Sequence, residues 1–149
     1  MATLEEGIFQ WLDQRPEYRA LNFATGAFFD GTHCRIWPGV VDESSPLPAM
    51  AFDRVGGQTP GLNMAGADGV NRARIQFTAI GTIYADPATL IGVLCGVPGT
   101  PGILHGFSGQ LPNGVVVQLA RQMMEPIGSY IAEVRLFMRH VDFEFVYQI

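Results

Sequence analysis

The chain contains no lysine. Its nine basic residues are all arginine, and they are scattered along the sequence. A nucleic-acid binder needs a clustered basic face to displace counterions from phosphates, and a formal net charge of -5 offers no such face. Charge of either sign is short: 15% of residues are charged, against about 25% in an ordinary soluble domain. Cysteine is scarce as well. Cys34 and Cys95 are 61 positions apart, which is no disulfide framework. The opening MATLEEGIFQW carries acids where a secretory leader would carry positive charge, so the expected compartment is the cytoplasm. The 34 residues 87–120 contain no Asp, Glu, Lys or Arg. Repeated glycines together with Pro98, Pro101 and Pro112 deny this stretch the roughly 20 unbroken helical residues of a membrane span.

What is present is one domain's worth of core. The 149 residues are 48% hydrophobic, which suits a single domain over residues 1–149 that folds without staples. With so little charge on its outside, such a domain is expected to have part of its surface covered by other subunits.

Helix signals come first along the chain. Thr3-Leu4-Glu5-Glu6 is a capping box, and Leu4, Ile8, Trp11 and Leu12 follow at helical spacing. The spacing predicts a helix over residues 4–15, ended by Pro16, and an apolar face of Ile8, Trp11 and Leu12 packed on Ile75, Phe77, Phe143 and Phe145. Residues 22–32 read as loop. Residues 34–37 and 48–55 read as strands, the second stopped by Gly56-Gly57. Residues 56–70, with five glycines, are expected to form a long mobile loop or a projecting hairpin. Residues 71–84 alternate as a half-buried strand, with Ala73, Ile75, Phe77, Ala79 and Ile83 on one side. Asp86 is expected to cap a short helix bearing Leu90, Val93, Leu94 and Val97. Residues 114–124 form another strand candidate. In the C-terminal run, Val134, Leu136 and Met138 alternate in one phase and Val141, Phe143, Phe145 and Tyr147 in the other, which predicts a bulge near Arg139-His140. The sum is an α+β domain: a mostly antiparallel sheet, two main helices on one face, and long Gly/Pro-rich loops.

Chemistry-bearing groups do not cluster in the sequence. His33 and Cys34 are adjacent and point to opposite sides of a strand, Cys95 sits on an apolar helix, and His105 and His140 have no ligand partner at short spacing. Gly106-Phe107-Ser108-Gly109 lacks the final glycine of a nucleophile elbow, since Gln110 follows. Gly56-Gly57 and residues 96–102 have neither the lysine nor the spacing of a phosphate loop. Asp142 and Glu144 read as a solvated strand face. The expectation is no enzyme activity, no cofactor and no metal.

The order of features resembles the bacteriophage tail completion, or tail terminator, family of long non-contractile tails. The resemblance runs through LEEGIFQWL, RIWPGVVDESSPLPAMAFDRVGG, NRARIQFTAIGTIY, ADPATLIGVLCGV and the closing RHVDFEFVYQI. Residues 22–32 and 96–114 are longer than the pattern. The resemblance implies a virion protein, assembled in the host cytoplasm, that forms a hexameric ring. That ring would cap the tail tube, meet the head connector, and let DNA pass through its bore without specific binding. In that setting Pro38, Pro46 and Pro48 would stiffen a docking loop. Arg54 and Arg72 would pair with a neighbour's carboxylates, and Ile103, Leu104 and Phe107 would be covered by a neighbour or the tube. The alternatives are another neck ring on the connector side, or a small-molecule-binding or hydrolytic α+β domain.

Overall fold

Thr3 caps the first helix as its spacing predicts, its hydroxyl accepting the Glu6 N–H at 3.2 Å. The computed structural model describes residues 3–58, 62–63, 66–67 and 70–148. Helix α1 covers Leu4–Asp13, and its stripe of Leu4, Ile8, Trp11 and Leu12 is buried. It ends before residue 15, and Pro16, whose fixed φ suits a first turn, opens a separate short helix, α2 (Pro16–Arg19). The stretch read as loop contains a small antiparallel ladder of β1 (Asn22–Phe23) and β2 (Gly26–Ala27).

Next come β3 (Ile36–Pro38) and β4 (Ala49–Gln58). Gly56-Gly57 does not stop β4. The strand absorbs the glycines through a register shift between Arg54 and Gly56 and keeps pairing as far as Gln58 opposite Arg72. β5 (Leu62–Asn63) and β6 (Gly66–Ala67) pair with each other on the way to β7 (Asn71–Gly81). The rest of the loop expected over residues 56–70 lies outside the described residues. Along β7, Ala73, Ile75, Phe77 and Ala79 are buried as their alternation predicts, whereas Ile83 lies past the strand end and is 50% exposed.

Helix α3 runs over Ala85–Cys95. Asp86 is inside its first turn rather than at the cap, which Tyr84 occupies without a side-chain bond, and Val97 is exposed beyond its end. The small ladder β8 (Gly96–Val97) with β9 (Thr100–Pro101) follows, then β10 (Gly109–Gln110), β11 (Val116–Gln122), β12 (Ile127–Ile131) and β13 (Leu136–Gln148).

The main sheet has seven strands in the order β10-β11-β13-β7-β4-β3, with β12 also paired to β13. Every pairing in it is antiparallel except β3 with β4. The α+β assignment holds. The expected bulge in β13 does not occur: the strand pairs with β7 without a break from Phe137 opposite Gly81 to Tyr147 opposite Asn71. The phase change in its sequence is a change of face, not of backbone. On the helical side, by the start of α3, Phe137 stacks with Tyr84 and Tyr130, at 5.8 and 4.7 Å between centroids, while Leu136 and Met138 lie on the opposite face.

One buried cluster joins the helices to one side of the sheet. Ile8, Trp11 and Leu12 share it with Ile75, Phe77, Phe143 and Phe145, but the strand next to α1 is β3, and the helix lying along β7 and β13 is α3. Phe52, Phe77 and Phe143 form a ring-to-ring row across three adjacent strands, with spacings of 6.0 and 5.7 Å. Buried Tyr18 ties α2 to α3, its hydroxyl donating to the Leu90 carbonyl at 2.9 Å. No helix in the described residues is long and apolar enough to cross a membrane.

Candidate interface

The proline-rich segment between β3 and β4 is held by polar groups close in sequence. Trp37 Nε1 donates to Ser45 Oγ at 3.2 Å, the Asp42 carboxylate accepts the Ser44 N–H and hydroxyl, and the Thr25 hydroxyl and Arg35 guanidinium both reach the Leu47 carbonyl. Pro38 and Pro46 are exposed at this margin of the sheet. Pro48 is buried after a cis Leu47–Pro48 bond, against Gly81, so it is part of the subunit's own packing and not of a contact surface.

Below Pro46 lies a cavity of about 460 Å³ whose lining includes Phe9, Ile36, Trp37, His33 and Cys34. Its size is within the range of ligand pockets, roughly 300–1,000 Å³. Its polar groups do not converge on the space. Asp13 accepts the Cys34 N–H on one carboxylate oxygen at 2.7 Å and sits 3.0 Å from His33 Nδ1 with the other. Asp30 caps the N–H groups of Thr32 and His33, which together with its Coulomb attraction to His33 lowers its carboxyl below the usual range. The Cys34 thiol is 5% exposed and points at the Asp13 carbonyl, and burial, reinforced by the Asp13 charge, pushes it up to about 12. A thiol so protonated is no nucleophile at neutral pH. No group of three or more His, Cys, Asp or Glu that could hold a metal is found among the described residues.

The two arginines expected at a partner's carboxylates differ in their placement. Arg54 is engaged within its own subunit: Nε is 2.6 Å from Glu5 on α1, and Nη2 donates to the Tyr147 hydroxyl at 3.1 Å. Those bonds raise its pKa against the lowering effect of desolvation, which is the largest single influence. Arg72 is exposed, at the foot of the β4–β7 hairpin.

The apolar loop residues also fold inward. Leu104 is 1% exposed, so its expected place against a neighbour is corrected: it fills the core beneath its own α3. Phe107 is half-buried, 4.7 Å from the Trp11 ring, and its backbone pairs with Ala120 of β11. Ile103 is half-buried and donates its N–H to Val93 at 2.9 Å. Pro38 and Pro46 therefore stand at the β3 margin, Phe107 beside β11, Ile103 against α3, and Arg72 near the middle of the sheet.

The sheet face turned away from the helices is the strand face read as solvated from Asp142 and Glu144, but Asp142 is buried on it. Its centre is polar. Arg74 Nε bonds Asp142 at 2.7 Å and Arg121 reaches Glu144 at 3.2 Å, while Asp53 and Gln76 stand across from one another. The second Asp142 oxygen is buried with no partner among the described residues. Apolar groups flank this centre, with Val116 and Leu119 at one end and Ile127 at the other, all 40–48% exposed. β12 contributes to this surface and has no counterpart in the sequence reading, because five residues that include Gly128 and Ser129 give no usable period.

No family model matches this chain, and no curated protein matches it.

Proposed function

We propose that the chain is a structural subunit of a long non-contractile phage tail, one of a ring of six that caps the finished tail tube and presents it to the head connector. The observation that carries this reading is a sheet packed against helices on one face, whose two margins expose different side chains. A ring needs a heterologous contact, in which one surface of a subunit meets a different surface of the next. The β3 margin offers Pro38, Pro46 and Val40, which is 82% exposed. The β11 margin offers Leu119, Val116 and the outer part of Phe107. Arg72, exposed at the start of β7, is the cation this reading sets against a neighbour's carboxylates. Six copies at -5 each carry -30, and an acidic bore gives DNA no fixed cations to hold it.

Support also comes from what the polar groups do. Asp13 holds His33 and the Cys34 N–H, Asp30 caps Thr32 and His33, and Arg35 bonds Thr25 and the Leu47 carbonyl. These groups are engaged in fixing the approach to β3 and the end of the proline-rich segment, which supports reading this margin as a stiff edge. The test is tube capping. Added to tail tubes that lack their terminal protein, the chain should bind one end of each tube as a ring and stop further elongation. Binding to the isolated portal complex with none to tubes would instead make it the connector-side neck ring.

A further inference from the structure

Sheet edges invite strand addition, and proteins block them with short strands and proline. Here β3 is three residues long and finishes at Pro38, and β10 has two residues. β12 has no such protection. Ile127–Ile131 pairs with β13 along one side, and among the described residues no strand pairs with its other side. Its sequence, Ile-Gly-Ser-Tyr-Ile, holds no charge and no proline, and Ile127 and Tyr130 are 48% and 51% exposed.

The segment is also complementary to itself. Two copies laid antiparallel about Ser129 place Ile127 opposite Ile131 of the second copy, and Gly128 opposite Tyr130. The first is a β-branched pair across strands. The second lets an aromatic ring cover the bare backbone of a glycine, a known way of stabilising strand glycines. Both pairs occur twice, by symmetry. A slip of one residue would turn the second copy's sheet over, and a slip of two would lose these pairings. Because Ser129, like Ile127, has its side chain on the face away from the helices, the paired sheets would present that face on the same side.

We propose that the outer edge of β12 is a docking surface for a second copy of this chain, joined in a two-fold dimer by antiparallel pairing of Ile127–Ile131. This contact is isologous and so is not the head-to-tail contact of a ring. It consumes both edges and stops at two copies, which protects an otherwise open strand in subunits that have not been incorporated into an assembly.

Cysteine placement reads the symmetry directly. A residue on the two-fold axis meets its own copy at a Cα separation of about 4.5 or 5.5 Å, inside the disulfide range of about 4.4–6.8 Å. Ile127 and its own copy would lie about 14 Å apart along the strands. Under mild oxidation Ser129→Cys should therefore give a covalent dimer, Ile127→Cys should not, and the double variant Ile127→Cys/Ile131→Cys should. The unmodified chain, with Cys34 buried and Cys95 partly buried, is the blank. Ile127→Lys, at an exposed position, should leave the subunit folded by circular dichroism and convert the dimer to monomer in sedimentation. The proposal is overturned if Ser129→Cys stays uncross-linked while folded, if Ile127→Cys cross-links equally well, or if Ile127→Lys does not change the sedimenting mass. Tube capping is scored separately, so cross-linking at Ser129 without capping sinks only the ring reading, and capping without cross-linking sinks only this one.

Discussion

Asp142 is 4% exposed on the sheet face turned away from the helices, with Arg74 on one oxygen and, among the described residues, no partner on the other. Removing Arg74 would leave a buried carboxylate with no charge partner, a change that costs several kcal/mol in a closed interior. Arg74 is itself 46% exposed at its side chain, so solvent screening reduces the expected cost of Arg74→Leu to about 2 kcal/mol. Arg121→Leu removes a more exposed pair with Glu144 and should cost under about 1 kcal/mol. Chemical denaturation of both variants checks the order, and equal losses would contradict it. Cys34 gives a second prediction. Its thiol is held up to about 12 by burial, with Asp13 adding to the shift, and buried Tyr18 is raised as well, chiefly by desolvation. The unfolded chain ionises these groups first, so the stability they contribute is complete below pH about 9 and is lost as pH rises toward 12. Melting temperatures should therefore fall across that window, and Cys34→Ala should flatten part of the slope. A Cys34→Ala variant with the same pH slope as the natural chain would remove the thiol from the explanation.

Glycine on α1 shows how element-level propensity can be outweighed. Replacing a mid-helix glycine by alanine normally stabilises a helix by about 1 kcal/mol. At Gly7, however, a Cβ would lie 2.5 Å from Asn113 Oδ1 and 2.8 Å from Leu111 Cδ1. Asn113 is held there because its amide donates to the Thr3 carbonyl at 2.8 Å, which binds the loop before β11 to the start of α1. Gly7→Ala should therefore lower the melting temperature, and a rise would mean that this loop gives way. The same region shows what the sequence disclosed. The start and apolar stripe of α1 were legible because the cap and the period reinforce each other, and β7 was legible because Arg72, Arg74 and Gln76 alternate cleanly with Ala73, Ile75 and Phe77. The unbroken course of β13 was not, since a phase change of apolar residues looks alike whether the backbone bulges or the apolar side chains change face. Gly56-Gly57 misled for a related reason: paired glycines can end a strand or let it bulge, and β7 alongside decided the outcome. Leu104 and Phe107 were apolar residues in an uncharged, glycine-rich loop, and sequence has no way to show that the loop folds back onto Trp11 and α3.

At the scale of the whole molecule, the account rests on margins and faces. A seven-stranded sheet closed on one side by α1 and α3 is a stiff plate, and its short, proline-marked β3 edge is fixed by Trp37, Ser45, Arg35 and Thr25. Stiffness of this kind lowers the entropy lost when an edge docks on a neighbour. The 15% charged composition fits a surface that is partly covered in the working state. The most direct test of the ring subunit is native mass spectrometry of the purified chain, free and recovered from tail tubes, with negative-stain averages of the same particles. A ring subunit gives particles of six 16.2-kDa subunits when recovered from tubes, with six-fold averages on tube ends, whatever the count of the free chain. Particles of any other fixed count on the tubes, or a chain that never joins them at micromolar concentration, would contradict it.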